Sequence, residues 1–244
     1  QRARYHVAHP KFGPRELLGD VALEQVAREI AVSSNTSRDR KLAYRGLSCL
    51  TNVCVGDIGD VIKLYEEILR QASTGKGRMA IPIPDSVQAE CFQALSSRRI
   101  YDLNRRGGYY KNHALAFAEA AHELLVRSAK KMPKQQGAPQ RLRQYSSIYV
   151  RVAADNQESV NLQIDKLRNL IDAGVFVYAG GSPRSKTKDS NPIQQFKLSY
   201  RKIYGLAAYI GLSDRDRFEL SGTDLLDWLT APNKDILLRN QIRE

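Results

Sequence analysis

The chain has 244 residues, of which 42% are apolar and 26% charged, and its formal net charge is +12 at pH 7. This length and apolar content predict a soluble globular protein with one large or two modest domains. The apolar runs are far shorter than the roughly 20 residues that a membrane span needs. No charged-then-apolar signal segment opens the chain, so we expect no membrane association and a cytoplasmic location.

The charge balance and the cysteines bear on the partner and the compartment. A charge this far from neutral favours a nucleic acid or another acidic partner, although a solvated basic surface without a partner is the alternative. The three cysteines, Cys49, Cys54 and Cys91, lack CxxC spacing, which indicates buried thiols in a reducing compartment. Because the sequence opens on Gln1, we expect a fragment of a longer protein.

The first third of the sequence predicts a bundle of three helices. Apolar residues recur at helical spacing from Pro14 to Ile30, then around Leu47 and Leu50, and again after Asp57, which can cap the third helix. A linker over residues 76–84 contains two prolines and cannot continue a helix. We therefore divide the chain into residues 1–80, a helical bundle, and residues 81–244, a second domain.

The second domain is predicted to mix helices with a small sheet. A capping box at residues 85–88 predicts the start of one helix, and Asn112 is predicted to cap the next. A second capping box at residues 155–158 predicts a third helix, which ends at Gly174. Residues 148–152 are a predicted strand. Helical spacing returns after Tyr200, and a last helix begins at Ser221 or Thr223. Residues 213–219 alternate in charge and are interpreted as a turn that is either solvated or held by intramolecular ion pairs.

Residues 175–200 predict strand, long basic loop and strand directly after a helix, which is the outline of a winged helix. The loop offers Arg184, Lys186 and Lys188 against Asp189 alone, which is suitable for phosphate contact. Five further cations are predicted to flank this DNA-binding site: Arg141, Arg143, Lys197, Arg201 and Lys202. The helix before the loop carries Glu158, Asp165, Asn169 and Asp172 opposite its apolar side, which disfavours base readout by that helix. The basic loop could also be a solvated connection without a partner.

The stretch Tyr44–Leu69 resembles the lid of an initiator-type AAA+ ATPase of the origin-recognition-complex-like group. Gly56-Asp57 matches the turn between two lid helices, whereas Gly59 or Asp60 stands where that family has an arginine that reaches the nucleotide. The resemblance implies a mainly α fold, with an AAA+ lid-like helical bundle followed by a winged-helix domain that contains a small antiparallel β-hairpin. It also implies that the ATP-binding core lies upstream of Gln1.

The sequence offers little for catalysis. The four histidines match no metal-ligand spacing, and Gly75 and Gly180 lie in no G-x-x-x-x-G-K-[ST] loop. We expect no enzyme, metal or cofactor on this chain, with ATP and magnesium confined to an upstream core. Tyrosines between Arg98 and Lys111 could stack on bases or pack as rim residues.

The predicted function is sequence-tolerant binding of double-stranded DNA; the alternative is a module that docks a partner subunit or the parent ATPase core.

Overall fold

The computed structural model describes residues 12–32, 43–54, 57–73, 79–130, 141–152, 157–180, 194–239 and 241. Within these ranges the protein is mainly helical and carries a four-stranded mixed sheet, so the prediction of a mainly α fold is confirmed. No helix of this described part combines the length and hydrophobicity that a membrane crossing requires.

Helices dominate the chain up to the sheet. In order they are α1 (Pro14–Leu18), α2 (Leu23–Val32), α3 (Gly46–Val53), α4 (Ile58–Ala72), α5 (Asp85–Arg106) and α6 (Gly108–Lys130). The single helix predicted over residues 14–30 is broken, because Gly19 adopts a φ of 69° and ends α1. Asp57 caps α4 as predicted, since its side chain accepts a hydrogen bond from the Asp60 amide.

The last hundred residues build the sheet. The elements are β1 (Tyr145–Val152), α7 (Gln157–Asp172), β2 (Phe176–Tyr178), β3 (Gln194–Tyr200), two 3-10 turns (Lys202–Tyr204 and Leu206–Ala208), β4 (Asp216–Ser221), α8 (Gly222–Thr230) and α9 (Lys234–Leu238). The strand order is β2-β3-β1-β4; β3 is antiparallel to both β2 and β1, and β4 is parallel to β1. The predicted hairpin is therefore confirmed, but it belongs to a larger sheet.

Four predictions about the second domain are wrong in detail. Asn112 does not cap a helix, because it lies inside α6 (Gly108–Lys130). Residues 213–219 are not a turn throughout, because β4 begins at Asp216 and Phe218 faces the core. The alternative of intramolecular ion pairs is confirmed, since Arg215 pairs with Glu24 and Arg217 pairs with Glu219. The helix predicted after Tyr200 is two 3-10 turns, the second of which ends where Tyr209 adopts a left-handed φ of 57°. No capping box forms at residues 85–88, since the side chain of Gln88 makes other hydrogen bonds.

One contiguous hydrophobic core extends across the predicted boundary near residue 80. Its buried members run from Leu17 in α1 to Leu238 in α9. Tyr44, before α3, donates a hydrogen bond of 2.9 Å to the carbonyl oxygen of Ile210. On the inner side of the sheet, Phe117 of α6 packs against Tyr200 and Phe218. The bundle and the sheet region therefore share their apolar interior.

A substitution of Gln88 tests whether this shared interior stabilises the protein. It is fully buried; its Oε1 accepts from the Gly46 amide at 2.8 Å, and its Nε2 donates to the carbonyl oxygens of Leu18 and Ile83 at 3.0 and 2.8 Å. We expect Gln88→Met to lower the free energy of unfolding by about 3 kcal/mol, because three buried backbone groups lose their partner. Chemical denaturation measures this.

The matched control is Gln93→Met. Gln93 is half-buried and makes one comparable bond, from its Nε2 to the Leu206 carbonyl oxygen at 3.2 Å. We expect this variant to lose about 1 kcal/mol. Equal losses at the two positions would contradict the role given to Gln88.

Candidate nucleic-acid interface

The solvent side of the sheet carries an aromatic residue surrounded by cations. Alternation along the strands directs Ile148, Val150 and Phe218 to the core, and the residues between them to the opposite side. That opposite side is the outer face of the sheet, defined by Tyr149 and Arg151 of β1, Lys197 of β3, and Arg217 and Glu219 of β4. Tyr149 lies opposite Lys197 on one neighbouring strand and opposite Glu219 on the other.

Contacts on the outer face hold the arginines around Tyr149. The Cζ atom of Arg217 lies over the Tyr149 ring, 4.3 Å from its centroid, and that of Arg151 lies 5.6 Å away. Nε and Nη2 of Arg217 both donate to Oε1 of Glu219, at 3.2 and 3.1 Å. Arg151 reaches the same carboxylate at 4.0 Å. One acid therefore orients two arginines about one ring.

An open groove of about 740 Å³ continues the basic surface towards the start of β1. Its walls include Arg143, Arg151, Arg215 and Arg217, against two acids, Asp216 and Glu219. Arg215 also pairs with Glu24 of α2 at 2.7 Å. Cations outnumber acids along this groove, so its surface favours an anionic ligand.

Three of the predicted site residues belong to this surface. Arg143 lies in the groove with its Nη1 3.4 Å from the Tyr145 hydroxyl, and Arg141 is exposed, 3.5 Å from Asp216. Lys197 lies on the outer face. Arg184, Lys186 and Lys188 lie outside the described residues. The described residues on either side of them belong to the sheet region: Gln194 pairs with Val152 of β1, and the Gly180 carbonyl oxygen accepts a hydrogen bond from the Lys197 amide.

Arg201 and Lys202 do not extend the basic surface, contrary to the prediction. Lys202 is only 2% exposed; its Nζ donates to the Leu212 carbonyl oxygen at 2.6 Å and pairs with Asp214 at 2.8 Å. Burial lowers the pKa of Lys202, and the contact with Asp214 opposes that shift. The Arg201 guanidinium is directed inward to acids of α4. Both cations are committed to partners inside the protein.

Those acids form the Asp60 network, which consists of Asp57, Asp60, Arg99 and Arg201. Asp60 is fully buried and accepts from Arg99 of α5 and from Arg201, which lies 3.3 Å from it and 2.7 Å from Asp57. Burial alone would raise the pKa of Asp57, but Arg201 and Arg99 bring it below its ordinary value. The network joins α4, α5 and the segment after β3.

A cleft of about 580 Å³ lies beside the Asp60 network. Arg99, Arg105, Arg106 and Arg201 line it together with Asp57, Asp102 and Asp172, so its charges nearly balance. Gly174 forms part of the wall with a φ of 78°, and a Cβ atom there would lie 3.1 Å from Nη1 of Arg201. The backbone conformation therefore favours glycine, and a side chain there would also displace the Arg201 guanidinium slightly.

The other predicted features are distributed as follows. On α7, Asp165, Asn169 and Asp172 are exposed, as expected for a helix that does not read bases. Of the tyrosines after Arg98, Tyr101 is 63% exposed, whereas Tyr109 and Tyr110 pack against the core. The three cysteines are buried and unpaired, and burial raises the pKa of Cys49 and Cys54 to about 11, so the prediction of buried thiols is confirmed.

Within the described ranges, no group of three histidine, cysteine or carboxylate side chains comes together as metal ligands. His113 is buried, with its ring nitrogens 2.8 and 3.1 Å from the carbonyl oxygens of Tyr109 and Trp228. Burial lowers its pKa, and these backbone contacts oppose the shift. Its surroundings are those of a core histidine.

Sequence reasoning missed Tyr149, Arg151 and Arg217 as site residues. The available signal was the alternation of exposed and apolar residues in Asp216–Ser221, which is typical of a strand. The pairing of that strand with β1 was not available from the sequence. No protein-family model, no curated protein and no solved structure matches this chain.

The Asp60 network leads to a stability prediction. We expect Asp60→Asn to lower the free energy of unfolding by about 3 kcal/mol, because two half-buried arginines lose a shared, fully buried carboxylate. Asp57→Asn should cost about 1 kcal/mol, since the Asp57 side chain is 34% exposed and solvent screens its pairing.

The control for both is Asp165→Asn, which removes an exposed acid 3.3 Å from Arg168 and should change stability by less than about 0.5 kcal/mol. Urea denaturation of the three variants gives the ranking. A loss at Asp60 no larger than at Asp165 would contradict the structural role of the network.

Proposed function

We propose that this chain binds double-stranded DNA without sequence preference, through the outer face of the sheet and the basic residues 184–188. The observation that carries the proposal is the excess of cations in the groove, where Arg143, Arg151, Arg215 and Arg217 face Asp216 and Glu219. Phosphate contacts of this kind supply affinity that does not depend on base sequence.

The spacing of the cations suits a phosphate backbone. Arg143 and Arg151 are eight positions apart in a largely extended segment, which corresponds to roughly 26 Å at about 3.3 Å per residue. A DNA strand advances roughly 3.4 Å per nucleotide, so this row spans about eight base pairs. Lys197 contributes from the neighbouring strand, at the side of β1 where β2 and β3 lead to residues 184–188.

The absence of base reading follows from the helix that precedes β2. Asp165, Asn169 and Asp172 are exposed on α7, and a helix with this surface would be repelled by the negative charge lining the major groove. The proposed contacts are therefore to phosphates.

We further propose that the chain is the C-terminal part of an initiator-like AAA+ ATPase, with a lid and a winged-helix region. The capped turn at Asp57 and the order of helical bundle and hairpin support this origin.

In this proposal the lid has become structural. Asp60, at one of the two positions where the resembling family has a phosphate-reaching arginine, is a buried acid that accepts from Arg99 and Arg201. A buried carboxylate repels phosphate, so any nucleotide in an upstream core would receive no positive charge from this position.

A second candidate function is docking of a partner subunit or of the parent ATPase core. It is favoured by Ile58 and Ile62, which lie one turn apart on α4 and are 78% and 52% exposed. Replacing both with serine would abolish such docking or self-association, measured by sedimentation, without lowering DNA affinity. An unchanged sedimentation profile at every protein concentration would argue against self-association through this surface.

A salt titration tests the proposed DNA binding. The logarithm of the affinity for a duplex should fall linearly with the logarithm of salt concentration, by about 0.9 per phosphate contacted. We expect the double variant Arg151→Gln, Lys197→Gln to reduce this slope by roughly 1.8, since two contacts are lost. Alanine at Arg184, Lys186 and Lys188 should reduce it by roughly 2.7. Fluorescence anisotropy at several salt concentrations measures both.

The matched control removes two exposed arginines from the N-terminal helices, Arg15→Gln and Arg70→Gln. It lowers the net charge as much as the first variant does, so it corrects for the global effect of charge. Equal slopes for the control and both test variants would contradict the assignment of the contacts. A wild-type duplex affinity independent of salt would contradict phosphate binding altogether.

A further inference from the structure

We propose that the outer face of the sheet binds an unpaired nucleotide next to the duplex, with the base stacked on the Arg217 guanidinium. This inference rests on the proposed DNA binding and specifies its substrate as a duplex with a single-stranded segment. It starts from the contact between Arg217 and Tyr149, in which the arginine Cζ atom lies over the ring at 4.3 Å from its centroid.

Arg217 is held in place from two directions. The Tyr149 ring lies beneath the guanidinium, and Glu219 accepts from its Nε and Nη2. The side chain nevertheless remains 46% exposed. Because the ring covers one side of the planar group and Glu219 occupies one edge, the accessible part includes the side that is directed away from the sheet.

This arrangement is better suited to a base than to a phosphate. In Arg217 the edge formed by Nε and Nη2 already donates to Glu219, which places a carboxylate charge beside the remaining Nη1 and Nη2 edge and weakens it for a phosphate. A guanidinium plane whose orientation is fixed in advance presents a flat, polarisable surface, on which an unstacked base can lie. Arg217 thus differs from Arg143 and Lys197, which we assign to phosphates.

The geometry of the stack requires that the base be unpaired. The Arg217 guanidinium, on the edge strand β4, lies over the Tyr149 ring of the neighbouring β1. Inside a duplex both sides of each base are covered by neighbouring base pairs, so only a base that has left the stack can lie flat on the guanidinium. Lys197, opposite Tyr149, and Arg151, 5.6 Å from the ring centroid, are placed to contact phosphates on either side of such a base.

The experiment compares the affinity of the wild-type chain for a blunt DNA duplex, for the same duplex with a short thymidine tail, and for the same tail with abasic sites. We expect the thymidine tail to increase the affinity about tenfold, the size of one base stacking on a protein group. The abasic tail should give little of this gain, because it keeps the phosphates and lacks the bases. An RNA tail tests whether the 2′-hydroxyl matters.

Variants then locate the effect. Arg217→Lys keeps the charge but lacks the plane, and should reduce the ratio of tailed to blunt affinity to about one. Tyr149→Phe keeps the ring and should retain the ratio, whereas Tyr149→Leu should lose most of it. Arg15→Lys, at an exposed arginine of α1, is the matched control and should retain the wild-type ratio. Thermal unfolding establishes that each variant is folded.

The outcomes separate this inference from the proposed function. Salt-dependent duplex binding with no gain from the thymidine tail would overturn the stacking site and leave the duplex proposal standing. An equal gain from the abasic tail would also overturn it, since phosphates alone would then explain the effect. If neither blunt nor tailed DNA is bound, the proposed function itself fails.

Discussion

The buried carboxylate of Asp60 is the constraint on which the arrangement of this protein depends. An isolated charge in the interior is unstable, and this one is compensated by Arg99 from α5 and Arg201 from the segment after β3. Those two arginines come from parts of the chain about a hundred residues apart, so satisfying Asp60 fixes the helical bundle relative to the sheet. The pairing also engages the Arg201 guanidinium with two acids, so the proposed phosphate contacts are assigned to other cations.

A similar division between internal and external cations runs through the sheet region. Lys202 is buried with Asp214, whereas Lys197, only five residues earlier, lies on the outer face. Strand alternation in β3 exposes Lys197, and the 3-10 turn after β3 directs Lys202 into the interior. The net charge of +12 therefore does not predict whether any single cation is exposed.

The resemblance to an initiator lid gains a specific meaning from these contacts. The turn at Asp57 begins α4 with a capping side chain, and Asp57 also pairs with Arg201 at 2.7 Å. In the proposed relation, Asp60 stands at one of the two positions where the family carries a nucleotide-reaching arginine, and here it is buried and paired with Arg99 and Arg201. The exposed isoleucines of the same helix, Ile58 and Ile62, give that surface an apolar character compatible with a protein partner.

The sequence by itself determined the mainly helical class, the cap at Asp57, the stop at Gly174, the buried thiols and the antiparallel hairpin, because capping and periodicity are local properties. It could not determine that Asp216–Ser221 pairs in parallel with β1, since parallel pairing joins segments far apart in sequence. Tertiary structure alone assembled Tyr149, Arg151, Lys197 and Arg217 on one face, and it alone paired Arg201 and Lys202 with acids. Charge is encoded in sequence, but which charges meet water is decided by packing between distant elements.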